Sequence, residues 1–144
     1  MVFLNFLLRL FRMIAADIFK KLRLFANQKK LIVNAPTEFL KLLADVAFDT
    51  HTDPLKTGTY DFITVFGVNQ EELSQGLQAV SVAGIYDCLF WACYPKGTGK
   101  IKSDLKREVV WGLVDQHGLQ CVSQIAINET WSALRARPAE AVGT

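Results

Sequence analysis

The sequence predicts a doubly wound α/β domain: a mostly parallel sheet covered on both faces, closing with an antiparallel C-terminal hairpin. Three observations carry this. The runs YDFITVF and IYDCLFWACY are apolar at nearly every position, as strands buried on both faces are. Segments of helical period separate the strand-like runs. The last two runs, CVSQIAI and SALRAR, are joined through Asn128-Glu129-Thr130, a hairpin-sized connection.

Length and charge set the bounds. A chain of 144 residues is one domain by size and buries roughly 70% of its unfolded surface. Residues 1–16 read as an amphipathic extension, or as sequence upstream of a start at Met13. Residues 17–138 read as the domain, and the tail 139–144 is expected to fray. Residues 1–30 hold seven basic groups against Asp17, a net +6 that leaves −4 on the rest of a chain whose total is +2. A net-negative body argues against a nucleic-acid surface, because phosphate-backbone affinity scales with Lys and Arg contacts.

The first twelve residues, MVFLNFLLRLFR, lack a basic region ahead of the apolar run, and Arg9 and Arg12 interrupt it, so they are not a secretion signal. The run is too short to span a bilayer. On a helix, Asn5, Arg9, Arg12, Lys20 and Arg23 form one stripe, with apolar residues elsewhere, a pattern for packing or for a membrane surface.

KKLIVNAP then reads as a strand ended by Pro36, and TEFLKLLADVAF as a helix. Residues 49–59 are polar with Pro54 and Gly58, a loop or the stub of a poor strand. YDFITVF is the next strand. Asn69-Gln70-Glu71-Glu72 approximates a capping box for a helix to about Val82. Ile85–Tyr94 is a central strand. PKGTGK is a loop, and a helix is expected from Ser103 to Gly118, with Asp104 in its first turn and Trp111 in the core.

Cys88 and Cys93 stand an odd number of residues apart on one strand, so they face opposite ways and cannot pair. Three unpaired cysteines indicate a reducing, cytoplasmic setting. His51 and His117 lack metal-ligand spacing, and no nucleophile–base pair can be assembled.

Ligands of open α/β sheets bind at the carboxyl ends of the strands. That rule gathers Asn34 to Thr37, Gly67 to Asn69, Tyr94 to Lys102 and Asn128 to Glu129 at one rim. A reversed last strand adds Trp131 and Ser132. The candidate ligand-binding residues are therefore Asn34, Thr37, Asn69, Tyr94, Lys96, Lys100, Lys102, Asn128, Trp131 and Ser132. Three lysines on a glycine-containing loop beside a helix N-terminus suit a phosphate or carboxylate. Tyr94 and Trp131 offer stacking faces.

The C-terminal segment CVSQIAINETWSALRARP resembles the last half of the S-adenosylmethionine-dependent methyltransferase fold, a Rossmann-like topology. KKLRLFANQKKLIVNAPTEF, YDFITVF, FWACYPKGTGKIKSDLKRE and NETWSALRARP look like the signatures of an uncharacterised bacterial family of small methyltransferase-like domains. The resemblance covers residues 17–138 and implies that fold. The chain departs from working methyltransferases at the first βα turn, which reads Asn34-Ala35-Pro36-Thr37, with no glycine from Leu31 to Thr57.

The resulting expectation is a non-catalytic methyltransferase-like domain without a cofactor. It would bind a small anionic ligand or a protein partner at the strand C-terminal edge. A degenerate S-adenosylmethionine-dependent methyltransferase is one alternative. A homo-oligomeric or membrane-surface protein using the N-terminal helix is another.

Overall fold

The computed structural model describes residues 2–143. In chain order the elements are α1 (Val2–Leu22), β1 (Lys30–Val33), α2 (Thr37–Leu42), β2 (Tyr60–Phe66), α3 (Gln70–Ala79), β3 (Gly84–Pro95), α4 (Arg107–Asp115), β4 (Leu119–Ala126) and β5 (Trp131–Pro138). Short 3-10 turns occupy Pro54–Lys56 and Ala139–Ala141. The sheet order is β1-β2-β3-β5-β4. The first three strands are parallel, and β5 runs against both β3 and β4. The doubly wound sheet with an antiparallel C-terminal hairpin is the expected architecture.

Strand alternation divides the core into two layers. Ile63, Val65, Phe90 and Ala92 face α3 and α4, meeting Leu73, Leu77, Val110 and Val114. Phe62, Phe66, Trp91 and Cys93 face α1 and α2, meeting Ile18, Leu22, Phe39 and Leu43. Cys88 and Cys93 accordingly lie in opposite layers, and all three cysteines are free.

α1 is a single helix of 21 residues. Its last two turns bury Ala15, Ile18 and Leu22, and the Trp91 indole donates to the Leu22 carbonyl at 3.0 Å, fastening the helix end to β3. Arg23 ends the helix in the left-handed region at φ 58°, so it leaves the stripe that Asn5, Arg9, Arg12 and Lys20 share. Upstream of Ala15 the apolar side chains are exposed, Phe3 and Met13 by 73% and 69%. No helix among the described residues is long and apolar enough to cross a membrane.

Four local expectations are corrected. The α2 pattern promised a helix to Ala47, but it stops at Leu42 because the chain must return to lay Asp49 beside β1, where it forms a parallel bridge with Leu31. α4 begins at Arg107 rather than Ser103. Leu105 is buried, the Ser103 hydroxyl accepts from its N–H, and Asp104 accepts from Gln70 N–H at 2.9 Å, so it caps α3 instead. Trp111 is 45% exposed, with the Arg107 guanidinium 5.4 Å from its ring, not in the core. The tail is held as far as Val142: Ala141 is buried, the Tyr86 hydroxyl donates to Glu140 and Val142 N–H to Ala139 C=O, while Thr144 lies outside the described residues.

Leu22→Ala is expected to cost about 3 kcal/mol, as deletion of a fully buried leucine does. Leu8→Ala, on the exposed part of the same helix, should change stability by no more than about 0.5 kcal/mol. Thermal denaturation of the two variants checks the division of α1.

Candidate functional site

The strand order reverses between β1 and β2. From β1 the chain passes through α2, on one face, to Asp49, whose N–H and C=O bond to Lys30 and Ile32 on the side of β1 away from β2. β2 lies on the other side, and α3, which follows it, covers the opposite face. Such a switch point leaves a crevice at the strand carboxyl ends.

Two residues shape this crevice. Asn34 leaves β1 at φ 59°, a left-handed conformation that costs an ordinary side chain roughly 1–2 kcal/mol and that asparagine tolerates better than most. Its amide lies over α3, 3.9 Å from where a Cβ on Gly76 would stand. Gly67 ends β2 against the first turn of α3, where an added Cβ would meet the Leu73 Cβ at 2.6 Å. Only glycine permits that approach. Thr37 is the exposed first residue of α2, and Asn69 is occupied as the α3 cap, accepting from Glu72 N–H at 2.8 Å.

The remaining candidates gather further along the rim. Tyr94 pairs with Ser132 and Pro95 with Trp131, while Lys96 N–H donates to Thr130 C=O at 2.7 Å. The two distinctive segments therefore meet. Asn128 shapes the hairpin by accepting from Thr130 and Trp131 N–H, both at 2.8 Å. Tyr94 and Trp131 are buried in opposite layers, Trp131 packing edge-on against Phe66 at 5.2 Å, so neither presents a stacking face to solvent. Lys100 and Lys102 are exposed, whereas Lys96 is half-buried and lines a hollow of about 300 Å³ with Tyr94, Thr98, Arg107, Gln124 and Ser132. The helix N-terminus expected beside the lysines is absent, since residues 101–106 are irregular.

Two buried polar atoms near this rim have no hydrogen-bond partner: the Trp131 Nε1 donor and the Thr64 hydroxyl, both on the α1–α2 side. No cysteine thiolate is available as a nucleophile among the described residues. Burial pushes the Cys88 and Cys121 thiols up to about 11 and the fully buried Cys93 thiol well above its ordinary value, so all three stay protonated. No group of His, Cys, Asp and Glu among the described residues could hold a metal.

A cluster that the sequence did not disclose stands beside β1. The Asp49 carboxylate accepts from Lys56 Nζ at 2.8 Å and from the Tyr60 hydroxyl. Bonds from Lys56 and Tyr60 hold the Asp49 carboxyl below its ordinary range, while burial and then Asp49 push the Tyr60 hydroxyl up to about 12. The only advance signal was the single acidic residue following the apolar pair Ala47-Phe48.

Solved structures at low identity share this fold. A SAM-dependent methyltransferase from Aquifex aeolicus matches at a TM-score of 0.57 and 13% identity, over 85% of this chain and 88% of its own. Magnesium protoporphyrin IX methyltransferase from Synechocystis PCC 6803, with SAH bound, gives 0.56 and 11%, over 87% and 82%. A putative type 11 methyltransferase from Sulfolobus solfataricus gives 0.54 and 15%, over 90% and 81%. No protein-family model matches the sequence, and no curated protein matches it. These neighbours overturn the expectation of a non-catalytic binding module in favour of its methyltransferase alternative, each of the three being named as a methyltransferase; at this identity what they share with the chain is the fold.

Asn34→Gly should leave stability unchanged or slightly raised, whereas Asn34→Ala should cost about 1 kcal/mol, measured by urea denaturation. The lowered Asp49 pKa contributes stability that is complete above the ordinary carboxylate range and lost as pH falls through the lowered value. Wild type should therefore lose stability more steeply below about pH 4 than Asp49→Asn.

Proposed function

We propose that this chain is a degenerate S-adenosylmethionine-dependent methyltransferase, with the cofactor received at the switch point between β1 and β2. The observation that carries the reading is the left-handed turn at Asn34, which leaves β1 with its amide toward Gly76 of α3, at the strand ends where the close-packed Gly67 leaves the neighbouring β2. The left-handed Asn34 turns the backbone where a glycine ordinarily would, and the unpartnered Trp131 indole and Thr64 hydroxyl are unsatisfied polar groups on the α1–α2 side. One feature departs. Pro36 has no N–H, and the turn has no glycine to let the backbone approach closely, so the contact is weaker than in a glycine-rich turn. This departure agrees with the resemblance to small bacterial methyltransferase-like domains that lack that turn, and the setting is cytoplasmic.

When bound, S-adenosylmethionine supplies a methyl group on a sulfonium sulfur. Asn34 and Thr37 would hold its nucleoside end, and Asn69 flanks it. Lys96, Lys100 and Lys102 stand on the acceptor side, where they favour an anion. An acceptor that arrives as a carboxylate already carries the electron pair that takes the methyl. The rim then has to hold the acceptor and keep water out, with no base required.

Calorimetric titration with S-adenosylhomocysteine tests this. Binding with a Kd of about 100 μM is expected for wild type. Thr37→Trp, which places bulk at an exposed position of the turn, should remove it. Absence of heat at millimolar ligand with the folded wild type would refute the reading.

A further inference from the structure

Away from the rim, the α1 side of the sheet carries a second concentration of charge. Arg135 pairs with Trp91 in register and shares its face, four residues along β5 from Trp131 and so about 13 Å from the rim. Arg23, Arg135 and Arg137 line one open hollow of about 520 Å³ with Gln120 and Ser123. Among the described residues only Arg137 is neutralised, by a two-pronged pair with Asp87 at 3.0 and 2.7 Å.

Arg135 has no such partner. Its Nε is buried and makes no hydrogen bond. Burial lowers its pKa, and Arg23 and Arg137 lower it further, with Asp87 opposing. Leaving a charged donor buried and unpaired is costly, and the cost is relieved when an anion is supplied.

The backbone gives an independent sign. Among the described residues, three non-glycine positions are left-handed: Arg23, Asn34 and Asp87. Two of them belong to this cluster. Arg23 ends α1 at a position where glycine is usual, with Leu24 N–H reaching back to Phe19 C=O at 2.8 Å. Strain of this kind persists where the residue's identity matters more than its backbone preference.

We propose that Arg23, Arg135 and Arg137 form a binding site for a phosphate dianion, free or as the monoester of a small molecule, with Ser123 and Gln120 as neutral donors at its margin. Among the described residues, three guanidinium groups against one side-chain carboxylate leave two positive charges, matching a dianion. The planar fork of arginine fits phosphate oxygens in pairs. The open hollow leaves room for whatever the phosphate is attached to.

Thermal shift with inorganic phosphate and with glycerol 3-phosphate, each at about 10 mM, tests the site. Both should raise the wild-type melting temperature by a few degrees. Tighter binding of the monoester would assign the site to a phosphorylated small molecule, and equal binding would assign it to free phosphate. Arg135→Gln should abolish the shift, and Arg23→Gln, at an exposed position where the backbone demand on the side chain is unchanged, should weaken binding about tenfold. Lys96→Ala should leave it intact, and Arg135→Gln should leave S-adenosylhomocysteine binding intact, which separates this site from the rim. No shift with either probe, an unchanged shift in both arginine variants, or a response to an RNA oligonucleotide alone would overturn the assignment.

Discussion

The rim depends on β5 being inserted between β3 and β4 and running against both. Because β3 ends at Pro95 where β5 begins at Trp131, the exit of one strand and the entrance of the other are the same place. Lys96 N–H is donated to Thr130 C=O there, so the lysine loop and the hairpin turn are fixed to each other by backbone. A parallel β5 of the same length would begin about 25 Å away, at the far edge of the sheet. Small residues make the insertion practical. Ala133 and Ala136, both fully buried, allow each covering layer to close over β5.

From that arrangement follows a division of labour along the rim. The β1–β2 crevice is built from backbone: a left-handed asparagine, a glycine that admits α3, and an α3 N-terminus already satisfied by Asn69 and Asp104. With its first N–H groups taken, α3 is not an open anion site. The β3–β5 side is built from cations instead. A cofactor on one side and an anionic acceptor on the other would meet across the end of β2, which is the sense in which the proposed methyl transfer uses this topology.

Much of the fold was legible because strand periodicity survives burial: YDFITVF and FWACY could only be covered on both faces, and the short link around Asn128 could only reverse the chain. The meeting of Tyr94–Lys102 with Asn128–Ser132 followed from that reversal. What stayed hidden depends on distance rather than pattern. Asp104 looks like the start of its own helix, yet it reaches α3, thirty-four residues earlier in the chain. Trp111 looks like core by composition, yet the α4 face it occupies turns outward. Arg135 and Arg137 look equivalent two residues apart on one strand, and only the bulge that carries Asp87 toward Arg137 distinguishes them. The glycine-poor turn reads in the sequence as exclusion of a cofactor, yet in the structure a left-handed Asn34 bends the backbone as a glycine there would.

Amide chemical-shift mapping during titration with S-adenosylhomocysteine addresses the central claim most directly. The account predicts perturbations concentrated at Asn34, Ala35, Thr37 and Gly67 to Asn69, with the Trp131 indole N–H shifting among them. Perturbations absent from those positions, or confined to the β4–β5 face around Arg135, would contradict it.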